Sequence, residues 1–350
     1  MPLPTIPPFP DNVPTHPLRI IDYQLIKAKD EMEMESLWEA AKSLGFWYLK
    51  NHGADDEVDT MFDFSAEVMA LPLEEKMEFT QGDGGNSFGY KYIGGNTIEA
   101  SGLRDSNEFF NISKDDAFSY PIVTHRTYPA LINNNMETVV APFIRKSLEV
   151  TRDLVNVLND KLCLPFNELG KRHNLNELSG NEARLIRIPP NLSLDRKALG
   201  HHTDFGSISF LHNRLGGLQV LPPGSDRWQY IRPIPGHAIC NVGDALHILS
   251  GGILRSNIHR VLAPPGAQSH YERSSVVFFL RPGNSVILNA LTEQSPMIKK
   301  AMYSADSEKF MTNTTAEVWQ ARRFKYRRAV NQKGPETWYN GQGTEGRDYT

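Results

Sequence analysis

Cysteine is nearly missing from this chain, with only Cys163 and Cys240 in 350 residues. They stand far apart in apolar surroundings, which excludes a disulfide scaffold and predicts two reduced, buried thiols. An excess of one charge sign is also lacking. The formal net charge is −4, from 37 basic and 41 acidic residues interspersed along the chain. There is accordingly no basic stripe for nucleic acid and no polybasic patch for a membrane surface. Small molecules are then the default partner, and because residues 1–17 carry no apolar run long enough for a signal peptide or a membrane span, a cytoplasmic setting is the default expectation. No internal repeat is found, and nothing bears on oligomeric state. The length suits one large domain, or a domain with a substantial helical extension.

Residues 1–17 are rich in proline and read as an extended arm. Met34, Leu37, Trp38, Ala41 and Leu44 recur at helical spacing within Lys27–Leu44, and Gly45 ends that helix. A short strand at Phe46–Leu49 follows, then a helix over Asp55–Leu71 that stops before Pro72. The glycine-rich stretch Gly82–Asn96 reads as a loop carrying Phe88, Tyr90 and Tyr92. A long amphipathic helix is expected over Asn135–Leu162 as the support of a sheet. From Arg184 to Arg281 the pattern changes to short β-rich runs at 184–188, 207–211, 218–221, 228–231, 238–242, 258–262 and 275–280, divided by Gly and Pro. Asp306–Val330 reads as a charged helix, and the polar tail from Asn331 as mobile.

His202-Thr203-Asp204, answered by His259 downstream, carries the chemistry. Residues two apart on a strand share a face, so His202 and Asp204 can grip one ion while His201 points away. Two imidazoles and one carboxylate are the set that holds non-heme Fe(II) on one face and leaves the other open. His212, His237, His247 and His270 have no such context and are expected to be structural or exposed, although His247 could face a pocket. Arg273 and Ser275 are again two apart. A guanidinium fork pairs with a carboxylate, and the hydroxyl can add a third hydrogen bond.

These residues resemble the iron(II)- and 2-oxoglutarate-dependent oxygenase superfamily, in its isopenicillin N synthase-like branch. The resemblance runs over about residues 18–330. It includes Leu18-Arg19-Ile20-Ile21-Asp22-Tyr23, the segment Leu44–Gly53, Arg184–Pro190, Gly217–Val220, Asn241–Asp244 and Val276–Phe279 in family order. It implies a mainly β fold with flanking helices, a double-stranded β-helix or distorted jelly-roll core. It divides the chain into the arm 1–17, an N-terminal region 18–135, a helix-supported catalytic core with a C-terminal helix over 136–330, and the tail 331–350. It further implies that His202, Asp204 and His259 hold Fe(II), that Arg273 and Ser275 hold the distal carboxylate of 2-oxoglutarate, and that O2 is consumed as a C–H bond is oxidised and succinate and CO2 are released.

Two departures from the family pattern stand out. Ile188 occupies a position where many relatives carry a tyrosine, and it cannot donate that hydroxyl's hydrogen bond. Strand alternation puts Arg184, Ile186 and Ile188 on one face and Leu185 and Arg187 on the other, so one arginine is expected in the site, with the sequence silent on which. The loop from His259 to Arg273 is also longer than is common and is expected to bulge outward. Tyr90, Tyr92, Phe109, Phe110, Phe205 and Phe279 are candidate substrate contacts, with core packing an equal alternative for each. Arg322 and Arg323 could cap the pocket or simply face solvent. Two rival readings share the triad: an Fe(II) oxidase independent of 2-oxoglutarate, in which Arg273 and Ser275 hold a substrate carboxylate, and a metal-binding barrel without turnover. A zinc hydrolase leaves the Arg-x-Ser pair without a role.

Overall fold

The computed structural model describes residues 6–192, 197–303 and 307–344. Residues 1–5 of the expected arm, Asp306 at the head of the expected C-terminal helix and residues 345–350 of the expected tail lie outside the described residues.

Twelve strands build two facing sheets. They are β1 (Ile20–Asp22), β2 (Phe46–Lys50), β3 (Gly89–Lys91), β4 (Glu108–Ser113), β5 (Glu182–Ile188), β6 (Leu199–His202), β7 (Ile208–Asn213), β8 (Leu218–Val220), β9 (Gln229–Tyr230), β10 (His237–Val242), β11 (His259–Val261) and β12 (Arg273–Leu280). The larger sheet runs β1-β2-β10-β7-β12-β5-β4-β3 and the smaller β6-β11-β8-β9, antiparallel except for β1 beside β2. This is the jelly-roll core with flanking helices. All the strand runs expected between 184 and 280 form, with ends moved by one or two residues. Strands β1, β3 and β4 were not legible, being short or set among glycines and polar residues, and β6, expected to carry both His202 and Asp204, ends at His202.

Alternation assigns the two faces of the larger sheet. Val276, Phe278 and Leu280 of β12, Phe210 of β7, Cys240 of β10, Leu185 of β5 and Phe110 of β4 turn outward. There they pack on α1 (Glu31–Ser43), α2 (Asp55–Ala70) and α3 (Ala141–Lys161). The opposite face, with Phe46, Tyr48 and Ile239, closes on Leu218, Val220 and Ile231 of the smaller sheet and its flank. Burial of this apolar surface is worth about 25 cal/mol per Å² removed from water, so the face assignment is strongly enforced.

Local chemistry sets the helix ends. Asp30 caps α1 by accepting from the Glu33 amide at 2.9 Å, while Lys29 just before it takes φ +58° and separates α1 from the short helix Tyr23–Lys27; the expected single helix is therefore two. Gly45 ends α1 at φ +76°, where a Cβ would lie 2.0 Å from the Arg255 carbonyl oxygen. The long helix begins at Ala141, later than expected. Pro142 has no N–H to give and fits only a first turn, so Met136–Val140 forms a wider π turn ahead of it.

Several expectations fail on packing. Cys240 is buried, but Cys163 is exposed, in a left-handed conformation (φ +54°) just past α3, between Leu162 and Leu164, which take the buried positions. The region expected as a charged helix contains the 3-10 turn Ser307–Phe310, a strand Met311–Thr315 paired with Ile287–Asn289, and only then α4 (Ala316–Arg327). The tail forms α5 (Pro335–Gly341), anchored by buried Trp338. The long loop before β12 does not merely bulge: it folds into the 3-10 turn Gly266–His270, where buried Gln268 donates to the Pro7 carbonyl and accepts from the Gly216 amide. It thereby ties the N-terminal arm to the barrel.

Candidate metal centre and adjoining cavity

His202 ends β6 and His259 begins β11, and the two are direct cross-strand partners. Asp204 lies two residues beyond the end of β6, not on it as expected, and is set against the larger sheet. Its Oδ2 accepts from Ser209 Oγ at 2.5 Å and from Asn241 Nδ2 at 2.8 Å. Ser209 and Asn241 are themselves cross-strand partners on the inner face. Oδ1 is left to face the imidazoles, 3.7 Å from His202 Nε2 and 3.8 Å from His259 Nε2.

The far nitrogens fix the tautomers. His202 Nδ1 donates to the Gly200 carbonyl at 2.9 Å and His259 Nδ1 to the Asn257 carbonyl at 3.2 Å, because a carbonyl can only accept. Each Nε2 therefore presents a lone pair toward the same point, with the three ligand atoms within 4.8 Å of one another. Burial, followed by His259 and Arg327, pushes His202 well below its ordinary value and keeps it neutral. At Asp204 burial opposes ionisation, but the imidazoles of His259 and His202 and the Ser209 and Asn241 donors outweigh it and hold the carboxyl well below the usual carboxylate range. Two imidazoles and a carboxylate, each oriented from behind, fit a divalent iron.

Arg273 opens β12 and is 2 % exposed. Its Nε donates to the Gly216 carbonyl and its Nη1 to Ser275 Oγ, both at 2.7 Å. It pairs with no carboxylate among the described residues, and burial lowers its guanidinium to about 10. Register places the pair on the inner face: Arg273 lies opposite Ile188, Ser275 opposite Ile186 and Asn213, and Phe279 opposite Ser209. Ile188 therefore walls the arginine stem with hydrocarbon.

A narrow cavity adjoins the triad, with about 50 Å3 open to the centres of water-sized molecules. Phe109, Ile186, Phe205, Phe279 and Phe324 supply apolar wall, and Arg184, Arg281, Arg327 and Arg328 supply charge. Arg184 is held by Asn111 at 2.7 Å and Glu182 at 2.8 Å, with its guanidinium 4.3 Å from the Phe109 ring centre and 4.7 Å from that of Phe279.

Comparison with known proteins agrees with this geometry. Residues 180–282 match the 2OG-Fe(II) oxygenase superfamily, and residues 18–135 match the family described as non-haem dioxygenase in morphine synthesis N-terminal. A 2-oxoglutarate-dependent dioxygenase of Dothideomycetidae sp. is 30% identical over 281 residues, covering 78% of this chain and 84% of the relative. The chain belongs to the 2OG-Fe(II) oxygenase superfamily. The oxygenase is also 29% identical to a 2-oxoglutarate-dependent dioxygenase of Aspergillus fumigatus, over 89% of this chain and 86% of that one. A full-length Neurospora crassa protein solved in complex with alpha-KG shares the fold, with a TM-score of 0.71 at 23% identity over 88% of this chain and 95% of that one. The oxygenase is thus an Fe(II)- and 2-oxoglutarate-dependent dioxygenase.

Of the substrate contacts expected from sequence, Phe109, Phe205 and Phe279 line the cavity of the oxygenase; Tyr90, Tyr92 and Phe110 do not. Tyr90 stands opposite Phe110 across β3 and β4, so both share the outward face, where Tyr90 donates to Glu108 and packs 5.3 Å from the Phe110 ring. Tyr92 is past the strand and 36 % exposed. Arg184 is the arginine that reaches the cavity, while Arg187 points outward to Glu108. His247 stays structural, bonded to the Leu254 carbonyl against Phe310. Arg322 is exposed and Arg323 turns back over Trp319 toward Asn340.

Sequence reasoning offered the C-terminal helix as a cap through Arg322 and Arg323, and so missed Phe324, Arg327 and Arg328, which line the cavity, as well as the clamp on Asp204. Ser209 was visible in principle as a polar residue alternating in an apolar strand. Also missed was Asp244, which accepts from Thr203 Oγ1 at 3.0 Å and from Thr344, whose hydroxyl and amide lie at 2.8 and 3.2 Å. Thr344, the last described residue, is thereby fastened through Asp244 to Thr203, the residue between two of the triad members.

Proposed function

We propose that the oxygenase oxidises a C–H bond of a small specialised metabolite, with His202, Asp204 and His259 as the iron ligands and Arg273 with Ser275 as the anchor for the distal carboxylate of 2-oxoglutarate. The observation that carries this reading is the convergence of His202 Nε2, His259 Nε2 and Asp204 Oδ1 at one point, together with a buried arginine that pairs with no described carboxylate and whose strand register puts it on the inner face of the barrel. Iron bound there supplies the activation of O2 and the oxidative decarboxylation of 2-oxoglutarate that drive the substrate oxidation.

The chain's part is position and exclusion. Arg273 offers a charge-assisted fork, and Ser275, whose oxygen already accepts from Arg273, keeps its own proton free to donate to a carboxylate. With Ile188 in place of a hydroxyl, that serine takes on the orienting role a tyrosine would share. Gly217 lets the backbone pass close by: a Cβ there would sit 2.6 Å from the Leu262 carbonyl and 3.4 Å from Arg273 Nε. Phe109, Phe205 and Phe279 keep water from the reacting face. Residues 18–135 and 136–330 work as one unit in this reading, since β1 to β4 complete the larger sheet that bears Asn241 and Ser209. The setting is proposed to be cytoplasmic; no helix among the described residues is long and apolar enough to cross a membrane.

Anaerobic titration of the Fe(II)-loaded protein with 2-oxoglutarate tests the assignment. The visible charge-transfer band of the chelate is expected to appear, and Arg273→Ala to need about 10- to 100-fold more 2-oxoglutarate for it, the usual worth of hydrogen bonds to a charged group. Bound iron without a band would instead make Arg273 a substrate anchor in an oxidase.

A further inference from the structure

Four arginines border the cavity beside the triad, and three are already occupied. Arg184 and Arg281 share Glu182, at 2.8 and 2.9 Å, and Arg328 is held by Asn96 at 3.0 Å and by Gln81. Arg327 differs. Its backbone carbonyl accepts from the Thr97 amide, but its guanidinium makes neither an ion pair nor a hydrogen bond with any described residue. It lies 4.4 Å above the Phe205 ring, facing the cavity at the end of α4. The ring fixes the plane of the guanidinium while leaving its N–H edge unused.

We infer that the substrate is an apolar carboxylic acid, its carboxylate held by the free edge of Arg327 and its body lying against Phe109, Phe279 and Phe324 next to the metal. This rests on the oxygenase reading and deepens it. A carboxylate matches one planar fork with two parallel hydrogen bonds. A phosphate dianion would call for a second uncommitted cation, and Arg184, Arg281 and Arg328 are committed. The anion is not 2-oxoglutarate, whose anchor is the separate Arg273–Ser275 pair. Four arginines set against Glu182 and Asp204 leave this wall positive in sum, which suits an incoming acid over a neutral analogue.

The test uses Fe(II)- and 2-oxoglutarate-loaded protein without O2 and a panel of aromatic and alicyclic monocarboxylic acids, each paired with its methyl ester, with affinities read by calorimetry. The acids that bind are expected to do so about 10- to 100-fold tighter than their esters. Arg327→Gln should erase that preference, and Arg327→Lys should restore part of it, a rescue that a purely structural arginine would not show. The 2-oxoglutarate charge-transfer titration should be the same in all three proteins. Equal affinity for acid and ester, no acid bound at millimolar concentration, or a preference that survives Arg327→Gln overturns the inference. So does a loss of 2-oxoglutarate binding in Arg327→Gln, which would make Arg327 part of the cosubstrate anchor. Failure of the charge-transfer band in the unsubstituted protein counts against the oxygenase assignment itself, separately from the acid-to-ester ratio.

Discussion

Asp204 shows how much of a metal site lies behind its ligands. One carboxylate oxygen is held by two donors from neighbouring strands so that the other is presented to the ion. Removing either donor frees the carboxylate to turn. Ser209→Ala and Asn241→Ala are each expected to weaken Fe(II) binding by about 10- to 100-fold, the usual cost of losing an outer partner, measurable by competition with a chelator. Asp204→Ala should abolish iron binding outright; a protein that kept full iron and turnover would sink the triad. His202 with Asp204, and Arg273 with Ser275, stood out in the sequence because a spacing of two residues on an extended chain is local, whereas His259, far downstream, was joined to them only by the family resemblance. Ser209, Asn241 and Arg327 were not legible, because what makes them part of the site is the register of strands and the docking of a helix more than a hundred residues away.

At the scale of elements, strand alternation decided the substrate contacts. Phe109 and Phe110 are neighbours in sequence, and the sequence offered no reason to prefer either. The pairing of β4 with β5 puts Phe109 opposite Ile186 on the inside and Phe110 opposite Leu185 on the outside. The strands between 184 and 280 were readable from β-rich runs bounded by Gly and Pro. The tail was not, since its one large apolar anchor, Trp338, sits in a polar segment. Gly343 packs so tightly on the Thr203–Asp244 pair that a Cβ would fall 1.7 Å from Thr203 Oγ1 and 2.3 Å from Asp244 Oδ2. Gly343→Ala is therefore expected to lift the tail from Asp244. Faster hydrogen exchange over residues 335–344 and quicker stripping of Fe(II) by a chelator, with an unchanged far-UV spectrum, would report it. Unaltered exchange would show that the tail is not held by this contact.

For the whole molecule, His173 gives stability a pH dependence apart from the chemistry. It is buried, with Nδ1 2.7 Å from the Leu169 carbonyl and Nε2 2.7 Å from Ser207 Oγ. Burial lowers its value from 6.5 to about 4, against the partial support of the Leu169 carbonyl. Between those values the unfolded chain binds a proton that the folded chain refuses, so stability is full above pH 6.5 and falls as pH drops toward 4. A shift of this size is worth at most about 3 kcal/mol. Urea unfolding at pH 7 and pH 4.5 should show the loss, and His173→Gln should shrink the difference between the two conditions.

The triad joins what the two layers of the barrel keep separate. His202 and His259 hang from the smaller sheet, while Asp204 is pinned to Ser209 and Asn241 of the larger. An ion held by all three is a rivet through the sandwich, and its binding energy counts toward keeping the layers together. Iron at a hundred times its dissociation constant would add about 2.7 kcal/mol to the folded state. A cell short of iron would then hold a looser protein as well as an idle one, and proteolysis would become a readout of metal supply.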